Sequence, residues 1–414
     1  MTDLLNIVEN MPPMLSGQEL ISTLSAFPEY NESIRNEGQA VRLMALSNLY
    51  RLYIPSQMSL EIYSKLYLAL LRSLQKKEMQ FAVSQKYENY KAIQNQEYRG
   101  IIGGSDSFTI IGISGIGKSS AIMRAIDLIM ENKVIEIDNP YTKIVPCVIV
   151  QCPFDSSVKG LLLEILRKVD EIIDSKYYQY ALKSRATTDM LIGSVSQVAL
   201  NHIGLLVVDE IQNVVNSKNG KSLIGALTQL INNSGISICM VGTPESTVFF
   251  EQAMQLARRS VGLQYATMSY DTYFQSFCKV VFGYQFVKQK SEISPVIIEW
   301  LYEHSAGVVS VVISLIHDAQ EIAILTGQEV LNIDTLKQAY NQRLSLLHGY
   351  IQPTIIHREQ TSKTRKKNTA ASMEMTPKEN QQFNITDLVV QAKTENADIV
   401  SLLKEKCVVV EVVI

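Results

Sequence analysis

Gly112-Ile-Ser-Gly-Ile-Gly-Lys-Ser119 is a complete G-x-x-x-x-G-K-[ST] phosphate loop. An apolar run, Phe108-Thr-Ile-Ile111, precedes it and predicts a buried strand. A helical pattern follows, with Ile122, Ile126, Ile129 and Met130 recurring on one face. The motif therefore lies between a strand and a helix, which is the setting its chemistry needs. Glycines let the backbone curl so that its N–H groups point inward at phosphate oxygens, and the next helix adds its positive N-terminal end. Gly112, Ser114, Gly115, Ile116, Gly117, Lys118, Ser119 and Ser120 are the expected nucleotide contacts. Lys118 is expected to reach the β- and γ-phosphates, and the Ser119 hydroxyl to sit on Mg²⁺.

A second phosphate-handling element follows about 90 residues later. Leu205-Leu-Val-Val-Asp209-Glu210 is an apolar run ending in two carboxylates, the pattern of a Walker B strand. Strand burial holds the acidic pair at the carboxyl end of the sheet, where open α/β sheets place their sites. Asp209 is expected to hold Mg²⁺ and Glu210 to polarise the attacking water. Ile238-Cys-Met-Val-Gly-Thr243-Pro244 is another apolar run ending in a polar residue. Its Thr243 is expected near the γ-phosphate, as the residue that orients water. Beyond it, Leu256-Ala-Arg258-Arg259 carries two adjacent arginines. Either can pair within its own subunit or serve a neighbouring subunit as an arginine finger, because a guanidinium fork matches phosphate oxygens.

The rest of the chain frames these motifs. Its 414 residues are enough for two or three domains, and 46% of them are hydrophobic, enough for a sizeable core. Net charge is −3, so contact with a polyanion must come from a local patch rather than from the whole chain. The five cysteines lack C-x-x-C or metal-ligand spacing, so free thiols in a reducing cytoplasm are expected. The first residues carry no basic segment and no long apolar segment, so a secretory signal is not expected. No uninterrupted apolar run approaches the roughly 20 residues that span a bilayer, and no membrane association is expected.

Residues 1–98 show helical patterns, at Gly17–Ser25, Glu37–Leu52 and Leu60–Lys77, and are rich in tyrosine. Core packing is the plain reading of those tyrosines, and a partner surface is the alternative. Residues 99–268 alternate apolar runs with helical stretches, with strands expected at Phe108–Ile111, Ile144–Val150, Leu205–Val208 and Ile236–Val241. That alternation predicts a parallel sheet flanked by helices. Residues 269–352 predict four helices, Asp271–Lys288, Ser294–Ser305, Val308–Thr326 and Asp334–Gly349. An α/β nucleotide-binding core followed by a small helical lid is the layout of the AAA+ class of P-loop NTPases. Residues 353–414 read as a polar, basic linker ending in the apolar tail Cys407–Ile414. The tail is either a terminal strand or a partner-docking peptide.

With these residues in view, the chain resembles the TnsC/TniB family of AAA+ transposition regulators over roughly residues 85–350. The resemblance rests on the phosphate loop and on Val150-Gln-Cys-Pro-Phe-Asp-Ser-Ser-Val-Lys159-Gly. It rests equally on His202-Ile-Gly-Leu-Leu-Val-Val-Asp-Glu-Ile-Gln212, Val241-Gly-Thr-Pro244 and Ala257-Arg-Arg-Ser-Val-Gly262. In the lid, Ala306–Leu315 and Ala319–Ile324 continue it. The resemblance implies a bacterial, cytoplasmic ATPase that binds ATP and Mg²⁺. It implies assembly as a ring or helical filament on double-stranded DNA, without base specificity. It also implies a link between a target selector of the TniQ or TnsD type and a transposase of the TnsA/TnsB type. DNA-backbone contacts are implied at Lys159 and at Arg185, Thr187 and Thr188. The chain departs from many AAA+ proteins in one respect: Gly307–Leu315 lacks the arginine that begins a lid helix as sensor 2. A replication initiator or helicase loader is the competing reading, and a nucleotide-dependent signalling switch is a third.

Overall fold

The central sheet is buried on both faces. The computed structural model describes residues 8, 11–94, 107–130, 134–138, 141–215, 217–247 and 262–344. Its strands are β1 (Phe108–Gly112), β2 (Ile135–Asp138), β3 (Tyr141–Gln151), β4 (Ile203–Asp209), β5 (Ser237–Gly242) and β6 (Leu263–Tyr265). They form one sheet in the order β2-β3-β4-β5-β1-β6. β2 pairs antiparallel with β3, and every other pairing is parallel. The strand of the phosphate loop is thus separated from the Asp209 strand by β5, as the sequence reading expects.

Alternate residues of the central strands feed different cores. In β4, Leu206 and Val208 pack with α5 (Val158–Ile173), α7 (Thr188–His202) and α8 (Gly220–Ser234). Leu205 and Val207 point the other way, onto α3 (Gln57–Gln94) and α4 (Lys118–Ile129). Both sets are buried, which explains why the central strands read as continuous apolar runs rather than as alternating ones.

The lid has its own core. It consists of α9 (Thr272–Gly283), α10 (Pro295–Ser305), α11 (Val309–Thr326) and α12 (Ile333–Arg343). Side-chain caps fix three of the helix starts: Asp271, Ser294 and the capping box of Asn332 with Thr335. By length and composition α11 is apolar enough to cross a membrane. Its position accounts for that, because Val312, Leu315, Ile316, Ala319 and Ala323 fill the centre of the lid core.

Among the described residues, the N-terminal helices have no core of their own. Leu20 and Leu24 of α1 (Gly17–Leu24) join Ile62, Leu66 and Leu70 of α3 against the sheet. Leu46, at the end of α2 (Gln39–Leu46), joins Leu49 and Leu52 in the lid core. The single helix expected over Glu37–Leu52 ends at Leu46 and continues as a 3₁₀ turn, Ser47–Arg51. There the Ser47 hydroxyl bonds back to the Met44 carbonyl at 2.8 Å, competing with the helical ladder. Everything described belongs to one compact unit, Met1–His357.

Candidate nucleotide-binding site

β1 ends at Gly112 and α4 begins at Lys118, so the phosphate loop is the turn between them. Gly115 and Gly117 adopt φ values of 82° and 98°, which side-chain-bearing residues rarely take. Gly117 occupies the N-cap, so the first N–H groups of α4 remain available to a phosphate.

Lys118 is buried at 9% exposure, and its Nζ donates to the Gly112 carbonyl at 2.6 Å and the Ile113 carbonyl at 2.9 Å. The loop's own carbonyls hold the ammonium over the place where phosphate oxygens would lie. Burial pulls its pKa below the ordinary lysine value, and Asp209, Glu210 and Glu245 oppose that pull. In the first turn of α4 the Ser119 hydroxyl donates to Asp209 Oδ2 at 2.9 Å. A hydroxyl beside a carboxylate, at the mouth of a phosphate loop, is the oxygen donor set of a hard divalent cation.

Glu210 follows Asp209 with a left-handed φ of 58°, and its N–H donates to Asp209 Oδ1 at 2.8 Å. That bend turns the chain out of the strand into a 3₁₀ turn, Ile211–Val214. Gln212 Nε2 donates to Glu210 Oε2. Thr243 leaves the end of β5 with its Oγ1 buried, and its hydroxyl, set beside the Glu245 carboxylate, helps hold that carboxylate below its ordinary pKa. A cavity of about 240 Å³ unites Ser114, Gly115, Gly117, Lys118, Ser119, Ser120, Asp209, Glu210 and Thr243. Gly112 and Ile116, expected from the sequence as nucleotide contacts, do not line it: Gly112 accepts Lys118 through its carbonyl, and Ile116 lines a neighbouring cavity.

Two contributors were not anticipated from the sequence. Ser310, in the first turn of α11, donates its N–H to the Gly115 carbonyl at 3.1 Å and lines the same cavity. The lid thus touches the phosphate loop through backbone, on the lid helix that lacks a sensor 2 arginine. Next to it lies a second cavity, of about 250 Å³, lined by Tyr50, Leu52, Tyr53 and Met58, by Gly115–Gly117 and by Met268, Phe277 and Ile313. Its apolar walls come from the N-terminal segment, the phosphate loop and the lid, and they suit the flat face of a nucleobase. No local pattern marks residues 50–58 for this role, because it arises only from their packing.

The residues implied for DNA meet on one surface. Lys159, exposed in the first turn of α5, donates from Nζ to the Ala186 carbonyl at 3.1 Å. Ala186 is flanked by exposed Arg185, with φ of 51°, and by Thr187, which caps α7 ahead of Thr188. Phe154, at 88% exposure, stands on the loop that leads to Lys159. That loop is bound to the turn after Asp209. Cys152 N–H donates to the Asp209 carbonyl at 2.8 Å, Asn213 Nδ2 to the Cys152 carbonyl at 2.9 Å, and Ser156 Oγ to the Asn213 carbonyl at 3.1 Å. Arg258 and Arg259, and the tail after residue 344, lie outside the described residues.

Comparison with known proteins agrees with the sequence motifs. Residues 103–267 match the family described as bacterial TniB protein. No curated protein matches the chain. Among solved structures, the chain is similar to the Aeropyrum pernix ORC1 protein in complex with DNA, at 12% identity and a TM-score of 0.42, over 58% of this chain and 60% of that one. It is also similar to the ADP form of the Aeropyrum pernix ORC2 protein, at 15% identity and a TM-score of 0.41, over 63% and 67%. Domain III of the Thermotoga maritima replication initiation protein DnaA aligns at 16% identity and a TM-score of 0.35, over 60% and 85%. The chain thus spans less than two thirds of the length of the first of these.

Proposed function

We propose that this chain, whose residues 103–267 are of the TniB type, is an ATP-driven switch in DNA transposition. In this reading it assembles on duplex DNA and links a target selector of the TniQ or TnsD type to a transposase of the TnsA/TnsB type. The observation that carries the ATPase part is the meeting of Lys118, Ser119, Asp209, Glu210 and Thr243 around one cavity at the carboxyl ends of β1, β4 and β5.

Each residue has a task set by its position. The loop amides and Lys118 bind the phosphates, and Lys118 opposes the charge that builds on them during transfer. Ser119 and Asp209 would hold Mg²⁺, which when bound neutralises charge on the β- and γ-oxygens. Glu210 takes the proton of the attacking water, and Thr243 orients that water. Arg258 or Arg259 would complete the site of the adjacent subunit, so that hydrolysis depends on assembly. The base enters the apolar cavity between the N-terminal segment and the lid, and Ser310 lets the lid sense the loop.

The DNA part of the reading is supported by the convergence of Lys159, Arg185, Thr187 and Thr188 on one exposed surface. Cations repeated around an oligomer make a positive channel even in a mildly acidic chain. The test is Glu210→Gln. The variant should bind ATP normally, hydrolyse it roughly 10²-fold more slowly, and remain longer on DNA. Unchanged turnover would contradict the assignment of Glu210.

A further inference from the structure

We infer that Gln212 is a further catalytic residue of the hydrolytic site, one that holds the attacking water against Glu210. The inference rests on the ATPase reading above and assigns a part of that site which neither the motifs nor the comparisons assign.

The amide of Gln212 is used at one end only. Its Nε2 donates to Glu210 Oε2, which clamps the carboxylate. Its Oε1 is buried and has no partner among the described residues. Thr243, which lines the same cavity, sets its hydroxyl beside the Glu245 carboxylate. A buried acceptor left without a partner costs about 1–3 kcal/mol. Such an acceptor on a residue that lines the cavity holding Lys118 and Ser119 points to a polar guest.

The backbone has made room for this amide. A Cβ on Gly242 would stand 3.1 Å from Gln212 Oε1 and 2.7 Å from Ile211 Cγ2. A side chain at the end of β5 would crowd both neighbours. Glu210, in its left-handed turn, and Gln212 both line the cavity.

A water placed among these groups gives one O–H to Glu210 and the other to Gln212 Oε1. Thr243 Oγ1 provides a third polar contact. The remaining lone pair of the water points at the γ-phosphorus. The water oxygen forms a bond to that phosphorus as the bond from phosphorus to the β,γ-bridging oxygen breaks. ADP leaves with the electron pair, and one water proton passes to Glu210. Gln212 exchanges no proton; it fixes the direction of attack and the carboxylate that receives the proton.

The experiment measures ATP turnover and binding of a fluorescent ATP analogue for the full chain with its DNA, in wild type, Gln212→Leu, Gln212→Asn and Gln212→Glu. Gln212→Leu should lower kcat by about tenfold or more, the scale of one transition-state hydrogen bond, with analogue affinity within about twofold of wild type. Gln212→Asn, too short to touch both water and Glu210, should show the same loss, and it decides the matter if the leucine variant fails to bind nucleotide. Gln212→Glu keeps the length of the side chain but removes the N–H that holds Glu210, so it should lower kcat as well. Turnover within twofold of wild type in both Gln212→Leu and Gln212→Asn overturns the inference while leaving the ATPase reading intact. Wild-type protein without turnover on DNA overturns both.

Discussion

The Ser119 hydroxyl and the Asp209 carboxylate, 90 residues apart in the chain, meet at 2.9 Å. One stands in the first turn of α4 and the other ends β4, and the strand between them, β5, brings Thr243 to the same place. Three separate motifs thereby become one site, which a parallel sheet achieves by ending its strands on one edge.

The same logic of distant pairing holds the lid in place. Arg42 of α2 is 2% exposed and grips Glu329 through two hydrogen bonds of 2.6 and 2.7 Å, with the Phe286 and Glu37 carbonyls on its remaining N–H groups. Arg42→Met should destabilise the protein by about 3–5 kcal/mol, because it strands the Glu329 carboxylate. Adding Glu329→Gln should recover part of the loss. The Arg42 hydrogen bond also holds Glu329 below its ordinary pKa of 4.5. This share of stability is present above pH 4.5 and is lost as pH falls through the lower folded value. Denaturant midpoints at pH 7 and pH 4 should therefore differ less in Arg42→Met than in wild type.

Lys77 gives the opposite case. It is buried on α3, and its Nζ donates to the Ala199 and Leu200 carbonyls, at 2.8 and 2.5 Å, where α7 ends. Desolvation brings its pKa from 10.5 down to about 7. Above pH 7 the unfolded chain binds this proton and the folded one does not, so stability should rise with pH by up to about 1.4 kcal/mol per pH unit. Buried thiols work the other way at higher pH, since Cys147 and Cys278 are pushed up to about 12 and release protons on unfolding. The informative window is therefore pH 7 to about 8.5. Urea midpoints across it should climb in wild type and stay level in Lys77→Met. A wild-type midpoint that falls across the window would reject the neutral buried amine.

Lys159→Ala should weaken DNA binding alike for unrelated sequences, because an interaction with phosphate carries no base information. The salt slope of log K should shrink by about one for each phosphate that is no longer neutralised. A weakening confined to one DNA sequence would contradict the role of this surface.

Much of this was legible because the decisive signals are local. A phosphate loop, an apolar run ending in Asp209-Glu210, and a run ending in Thr243 each declare themselves within ten residues, and burial on both faces gives strands a continuous apolar texture. The sheet edges were less readable. β2 is four residues long and β6 three, and β3 begins at Tyr141 with exposed and half-buried positions ahead of Ile144. The apolar cavity beside the loop was not readable at all, since Tyr50, Tyr53 and Met58 come together there only by packing on a loop some sixty residues away. Gln212 was visible in the motif, yet its use depends on the unpaired Oε1 and on the missing Cβ of Gly242, which only the fold displays.

The central claim is that nucleotide controls assembly on DNA through the Lys118 site. The most direct measurement is sedimentation of two unrelated labelled duplexes with the protein, in ADP or in a non-hydrolysable ATP analogue, across a salt series. The account predicts large DNA-bound assemblies with the ATP analogue on both sequences, weakening as salt rises, and their loss with ADP or in Lys118→Ala. Equal sedimentation of the DNA with either nucleotide and in Lys118→Ala would contradict it.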